Sequence, residues 1–315
     1  MLRYFAKRTG AAIATLLVLS LLIFAGSEML PGDVAEVALG QSATPESLQA
    51  LRLQLGLDRP APERYLTWLS GAARGDWGLS VMTRVPVADL LTDRLANTTV
   101  LALTTAAIAV PLAVILGIFM AFNPGGRFDK AASSLVLAIS ATPEFLIATI
   151  LVLLFAVYLR WFPAVSYFSG DASIGGIART LALPVATLVL ISLAQMSRMT
   201  RAALINAQDL PFIEMAQLKG LTRTRTIFVH AFVAVSGPII NVVALNLAYL
   251  ISGIVVVETI FSYPGLARLM IDAVTARDLP VVQACAMLFC AAYVVLMMIA
   301  DLLAMVSNPK LRSML

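Results

Sequence analysis

The run Glu214-Met215-Ala216-Gln217-Leu218-Lys219-Gly220-Leu221 stands inside a polar, basic interruption, residues 198–225, between two stretches of almost unbroken hydrocarbon. The interruption carries Arg198, Arg201, Asp209, Glu214, Lys219, Arg223 and Arg225. At about 3 kcal/mol per charge, placing these at bilayer depth would cost on the order of 20 kcal/mol, so the segment lies outside the membrane. Its pattern is too ordered for a tether: a short amphipathic helix ends at Gly220 and a second helical stretch follows. Glycine at the stop bears no steric penalty for a left-handed backbone, and Lys219 suits the negative end of the helix dipole. Thr222 caps the second helix, which runs through His230. Two short helices joined at a glycine turn make a compact knob that a cleft in another protein can hold.

Working outward, the 315 residues are 60% hydrophobic and 13% charged, against about 25% charged in a soluble domain. Apolar windows of the roughly 20 residues needed to cross a bilayer fall at 10–29, 98–122, 133–159, 181–200, 234–257 and 281–306. The chain therefore reads as an all-α membrane protein with six transmembrane helices. The first window, preceded by Arg3, Lys7 and Arg8, is expected to be a retained anchor rather than a signal peptide, because its apolar run at 10–29 is longer than the roughly 7–15 residues of a signal-peptide core. Short loops and ends on the amino-terminal side hold Arg3, Lys7, Arg8, Arg127, Lys130, Arg198, Arg201, Lys219, Arg223, Arg225, Lys310 and Arg312 against Asp129, Asp209 and Glu214. That bias puts both termini in the cytoplasm of a multi-pass protein.

The formal charge of +4 follows from the same bias and carries no nucleic-acid message, because no basic patch is interleaved with aromatics on a soluble face. Cys285 and Cys290 share one helix at an offset that does not bring thiols together, so no disulfide is expected. His230 is the only histidine and has no ligand partners nearby in sequence, so no metal site is expected.

Residues 1–30 form the amino-terminus and first span, residues 31–97 an outward-facing segment, residues 98–306 a five-helix core with a loop at 202–230, and residues 307–315 a tail. In the outer segment, Leu30-Pro31-Gly32-Asp33 is a turn and Thr44-Pro45-Glu46 an N-cap with proline at the first helical position. Leu48, Leu51 and Leu55 follow at helical spacing and Gly56 stops the helix. Pro62 opens a similar helix, Gly75-Asp76-Trp77-Gly78 is a turn, and Pro86 starts a third amphipathic piece. A small helical cap on the outer surface is expected, an idle connecting loop being the alternative. Asn97-Thr98-Thr99 is read as the start of the second span and Asn123-Pro124-Gly125-Gly126 as its end; Pro111 and Pro143 should kink their helices.

The order Glu-x-Ala-x-x-x-Gly at Glu214, Ala216 and Gly220 resembles the cytoplasmic coupling loop of permease subunits in ATP-binding-cassette (ABC) importers. The run from Ser252 through Glu258, Phe261, Pro264 and Gly265 to Arg277-Asp278 is similar to the dipeptide/oligopeptide/nickel branch of that family. Further matches are Leu55-Gly56-Leu57-Asp58-Arg59-Pro60, Gly75-Asp76-Trp77-Gly78-Leu79-Ser80, Trp161-Phe162-Pro163-Ala164, and Asp301 before Pro309, so the chain resembles the first of two paired permeases. Pro211 just before the coupling helix, and Ala231-Phe232-Val233-Ala234-Val235 after His230, depart from the family pattern.

The resemblance implies type I ABC importer permease architecture in a bacterial cytoplasmic (inner) membrane. It also implies a second homologous permease, one or two cytoplasmic ATP-binding subunits and an extracytoplasmic solute-binding protein as partners. Coupling to the ATPase would fall to Glu214, Met215, Ala216, Lys219, Gly220 and Leu221. An outer gate or binding-protein contact would fall to Glu258, Phe261, Pro264, Gly265, Arg277 and Asp278. Di- or oligopeptides are the implied solutes, with nickel chelates or another small polar solute as neighbours. The chain has no Gly-x-x-x-x-Gly-Lys-Ser/Thr loop, so ATP and magnesium are expected on partner subunits and no cofactor or catalytic residue on this one.

Each assignment has a plainer counterpart. Glu214 and Lys219 also suit a solvated helix face, and Glu258 and Asp278 also suit interfacial charges at the outer surface. Glu144 falls near the middle of its span, where a carboxylate is costly. It is either a pathway contact for a substrate amine or a group satisfied by carbonyls freed at Pro143. Asp301 anchors the bundle near its cytoplasmic end. Two rival functions are an ion-coupled secondary transporter, which calls for several mid-membrane ionisable groups in matched halves, and an intramembrane enzyme, which calls for a nucleophile and base at one depth.

Overall fold

The computed structural model describes residues 2–29, 36, 43–54, 56–167 and 173–307. The turn expected at Leu30-Pro31-Gly32-Asp33, Leu55, and the chain beyond Ser307, with Pro309, Lys310 and Arg312, lie outside the described residues. In chain order the helices are α1 (Leu2–Glu28), α2 (Pro45–Gln54), α3 (Ala61–Ala72), α4 (Val87–Phe122), α5 (Arg127–Ala141), α6 (Glu144–Leu151), α7 (Ile174–Gln208), α8 (Pro211–Leu218), α9 (Arg223–Arg225), α10 (Phe232–Ala234), α11 (Ser236–Ile260), α12 (Leu266–Ala276) and α13 (Leu279–Ser307). Two π-helical turns, Val152–Tyr158 and Thr226–Ala231, continue α6 and α9. Extended pairing among the described residues is a single bridge between Leu79 and Pro86.

Among the described residues five helices are long and apolar enough to cross a membrane: α1, α4, α7, α11 and α13. The sixth expected span, 133–159, is instead a pair, α5 and α6 with its π turn, bent by 106°. The cause is local. The ring of Pro143 pushes the residue before it out of the helical region, and Thr142 (ψ 129°) and Pro143 (ψ 143°) are both extended. Two extended residues in succession redirect the chain, a larger effect than the expected kink. At Pro111 the helix runs on unbroken, as spanning helices permit when neighbours compensate for one lost backbone bond.

Two boundaries differ from the sequence reading. Asn97-Thr98-Thr99 does not open a helix: the piece expected from Pro86 and the second span are one 36-residue helix, α4. At 1.5 Å per residue it is about 54 Å long, well beyond a hydrocarbon core of about 30 Å. Likewise α7 does not stop near residue 200 but continues to Gln208, so the loop expected from 202 begins after it. A helix satisfies its own backbone on either side of the membrane surface, so the hydrocarbon edge is no reason to end it.

The described chain forms two compact units. One combines, among the described residues, 2–4, 100–263 and 295–307, and is centred on α7, against which α5, α6 and α11 pack. Its core includes Leu101, Leu188, Met196, Ile254, Phe261 and Tyr263. Where α4 crosses α7, a Cβ added to Gly117 would fall 2.7 Å from Thr200 Cβ and 2.8 Å from the Ser197 carbonyl oxygen. Only glycine permits this approach, which is how spanning helices gain packing without a hydrophobic drive between them.

The other unit combines Phe5–Thr99 with Pro264–Val294. Here Thr44 caps α2, its hydroxyl accepting from Ser47 N at 3.2 Å, and Gly56 stops it at φ 66°. The helix α3 is docked on α1 by Tyr65 and Trp68, whose rings lie 5.5 and 6.2 Å from Phe24. Arg64 pairs with Glu28, and the Ser20 and Tyr65 hydroxyls share a hydrogen bond of 2.9 Å. The segment expected as a cap or an idle loop is thus a folded layer. Gly75 (φ 80°) and Gly78 (φ 77°) make the expected turn, with Gly78 N donating to Asp76 Oδ1 at 3.0 Å. A core of Val87, Leu91, Leu266, Ala273, Val281 and Cys285 completes the unit.

The glycine crossing sets a first test. Gly117→Val places branched carbon against backbone, an overpacking cost of about 1–3 kcal/mol. We expect a lowered thermal midpoint of the detergent-solubilised protein, read by size-exclusion chromatography after heating.

Candidate functional site

The interruption quoted at the outset folds as a knob. Pro211, expected just before the short helix, is its first residue, a position where proline's missing N–H costs nothing. Ile213 and Ala216, three residues apart on one face of α8, are both buried, and Ile213 packs in a cluster with Leu204, Ala207, Ile227 and Ala231. The opposite face exposes Phe212 (50%), Met215 (54%) and Leu218 (76%) beside Glu214 and Lys219. Three large apolar side chains left open to solvent on one eight-residue helix form a patch that burial against a partner would stabilise.

The helix stop is fixed by two hydrogen bonds. Gly220 N donates to the Gln217 carbonyl at 2.9 Å and Leu221 N to the Ala216 carbonyl at 3.2 Å, with Gly220 at φ 81°. This is the Schellman arrangement, which consumes carbonyls a helix end leaves orphaned. Thr222 then caps the next stretch, its hydroxyl accepting from Arg225 N at 3.5 Å. Of the six residues assigned to coupling, Glu214, Met215, Lys219 and Gly220 are exposed, Leu221 is half-buried, and Ala216 faces inward as part of the knob's support.

The knob hangs from a braced base that the sequence reading missed. Asp129, buried at the start of α5, accepts from Arg201 Nε at 2.5 Å and Nη2 at 2.7 Å. It also accepts from Gly125 N at 2.8 Å and Ser133 Oγ at 3.2 Å. Gln208 Nε2 donates to the Ala121 carbonyl at 2.9 Å, and the Arg223 guanidinium lies 5.9 Å from the centre of the Phe122 ring. A lone aspartate beside the Gly125-Gly126 breaker was the available signal.

The residues assigned to the outer side divide between the two units. Glu258 and Phe261 belong to the unit that includes Val100–Tyr263, whereas Pro264, Gly265, Arg277 and Asp278 belong to the other. Glu258, Phe261 and Asp278 are buried, which corrects the picture of Glu258 and Asp278 as interfacial surface charges. The Phe261 carbonyl accepts from Ser166 N at 2.8 Å, and the Glu258 carbonyl from Tyr263 N at 2.9 Å. Burial, with the Glu258 carboxylate adding to it, pushes the Tyr263 phenol far above its ordinary value, so it stays neutral.

Arg277 ends α12 in the left-handed region (φ 56°) and is half-buried. Asp278 then turns inward, where its carboxylate accepts from Ser80 Oγ, from Val81 N at 3.0 Å and from Met82 N at 3.5 Å. The Pro264-Gly265 turn is held by α4: Asn97 Nδ2 donates to the Pro264 carbonyl at 2.9 Å, and Leu266 N donates to Thr98 Oγ1 at 2.8 Å. The residues read as a span opening are therefore clasps for a distant helix start.

Glu144 is the first residue of α6 and is half-buried. It borders a cavity of about 40 Å³ shared with Leu188, Ser192, Gln195, Asn246, Tyr249 and Gly253. Among the described residues no hydrogen bond joins Glu144 to a carbonyl freed at Pro143.

Helices enough for a multi-pass membrane protein, with a braced, solvent-facing knob in a long interhelical interruption, define a membrane-spanning transport subunit. The family model described as "Binding-protein-dependent transport system inner membrane component" matches residues 113–313, and the model of the corresponding amino-terminal region matches residues 1–102. The chain belongs to this family of inner-membrane permease subunits of ABC importers. It is 35% identical over 306 residues to a peptide transport system permease protein of Brucella abortus (strain 2308), covering 97% of this chain and 98% of that one. It is 33% identical over 312 residues to the glutathione transport system permease protein of Escherichia coli (strain K12), covering 99% of each. A chain of the inward-facing MetNI methionine ABC transporter aligns at 14% identity and TM-score 0.47, over 71% of this chain and 95% of that one. Membership of this family sets aside the ion-coupled carrier.

Asp278 offers a test of the clasp. Asp278→Ala strands Val81 N and Ser80 Oγ without their charged acceptor, at a cost of about 2–3 kcal/mol. The expected result is a lower thermal midpoint and faster proteolysis within residues 73–86.

Proposed function

We propose that this chain is one of two permease halves of an ATP-driven, binding-protein-dependent importer of di- or oligopeptides. The observation that carries the reading is the braced helix α8, with Ile213 and Ala216 locked inward and Phe212, Met215 and Leu218 left open. Cytoplasmic ATP-binding subunits, one or two in kind, grip this face. Their closure and opening rock the spans between inward- and outward-facing states by differential contact with the two. The chain itself binds no nucleotide and catalyses no reaction; ATP and magnesium sit on the gripping subunits.

Both termini and the knob lie in the cytoplasm, and the folded layer of α2 and α3 lies on the opposite side, where an extracytoplasmic solute-binding protein delivers its cargo. A second, homologous permease completes the passage. Peptides as cargo are supported by the relatives, two of which are named for peptide and glutathione transport.

Two experiments test this. Reconstituted with its partner permease, ATP-binding subunits and binding protein, the chain should carry radiolabelled dipeptide into vesicles only with ATP; uptake by the chain alone under an ion gradient would refute the proposal. Gly220→Pro forces φ near −65° where the fold needs 81°. It should leave membrane insertion intact, lower transport at least tenfold, and abolish stimulation of ATP hydrolysis by loaded binding protein.

A further inference from the structure

The cavity beside Glu144 lies between the central stretches of two membrane-spanning helices, α7 and α11. Its walls are Leu188, Ile191, Ser192 and Gln195 from the centre of α7, and Asn246, Tyr249, Leu250 and Gly253 from the centre of α11. A carboxylate at that depth is expensive and calls for a counter-charge or a set of donors. Among the described residues Glu144 makes no ion pair and no hydrogen bond, and no lysine, arginine or histidine lines the cavity. Gly253 leaves room for it: a Cβ there would sit 3.4 Å from Glu144 Oε2.

The remaining wall is polar and uncharged: Ser192, Gln195, Asn246 and Tyr249 each carry an oxygen able to accept, and Asn246 Nδ2 donates to the Val242 carbonyl at 2.9 Å. One carboxylate among such groups, with no cation supplied by the chain, is complementary to a group that brings a positive charge and several N–H donors. The cavity, of about 40 Å³, has room for a water-sized group such as an ammonium head, which has three donors.

We infer that Glu144 and this cavity form a transient subsite for a primary ammonium group of the transported solute as it passes mid-membrane, the amino-terminus of a peptide in the first instance. The inference rests on the importer reading above and adds to it a contact on the permease itself. During passage the ammonium replaces water around Glu144, so neither charge crosses the hydrocarbon unpaired.

The test uses the complete transporter in proteoliposomes, with binding protein saturated by Ala-Ala, N-acetyl-Ala-Ala or N-acetyl-Ala-Lys. Glu144→Gln keeps the shape and removes the charge, whereas Glu144→Asp keeps the charge. Losing one charge-assisted contact should slow Ala-Ala transport about tenfold or more in Glu144→Gln, with most of the rate retained in Glu144→Asp. N-acetyl-Ala-Ala should move no more slowly than in the parent complex, whereas N-acetyl-Ala-Lys, which keeps an ammonium, should be slowed as Ala-Ala is. Unchanged Ala-Ala transport in Glu144→Gln, equal loss in both variants, or equal slowing of the acetylated peptide overturns the inference. A parent complex that carries no peptide at all overturns the importer reading instead.

Discussion

The bidentate pair of Arg201 with Asp129 is the contact on which the inner end of the molecule depends. The two residues are 72 positions apart in the chain, and Asp129 is almost wholly enclosed. Its carboxylate accepts four hydrogen bonds, two from the guanidinium and one each from Gly125 N and Ser133 Oγ. Breaking such a pair by removing one partner strands a buried charge, at a cost of about 3–5 kcal/mol. Because Arg201 lies on the extended end of α7, the pair fastens that end to the turn that follows α4. Everything from Gln208 to Ala231 is built on this fastening, through Ile118, Ala121, Leu204 and Ala207 beneath α8.

A stiff mounting suits a part that receives force. Each end of α8 is closed by a specific device, Pro211 at its start and the paired Gln217 and Ala216 carbonyls at its stop. Ile213 is fully buried, so the helix cannot roll without exposing it. The apolar atoms it shows to solvent are then held in one orientation, and a partner that grips them moves the whole of α7 rather than a loose loop.

Much of this was legible in the chain because two physical demands leave strong marks. The hydrocarbon core demands long apolar windows; five of the six windows fall on single long helices and the sixth, 133–159, on the bent pair α5 and α6. The knob demands a left-handed stop, and Gly220 marks it. Thr44 and Thr222 likewise sit where their hydroxyls cap helices. What escaped were features that depend on residues far apart in sequence. Asn97 and Thr98 have the composition of a helix start, yet their polar groups are spent on Pro264 and Leu266. Asp278 and Glu258 have the composition of surface charge, yet the fold buries them. Arg201 and Asp129 entered the orientation count as separate charges, and no local pattern pairs them. The bend at Pro143 was expected in kind but not in size, since its 106° depends on Thr142 being extended as well.

The clasps of the unit that joins Phe5–Thr99 to Pro264–Val294 bear on the order of assembly. Ser80 waits on Asp278, Thr98 on Leu266, and Ser27 on Gln283, whose Nε2 lies 2.6 Å from its hydroxyl. Each link closes a loop of well over a hundred residues, and such closures come late because their entropy is lost before any contact rewards it. During synthesis the first third of the polypeptide therefore emerges with these hydroxyls still lacking their partners. Its maturation is delayed until the start of the last helix, α13, leaves the ribosome, which makes the last quarter of the chain a checkpoint for the first.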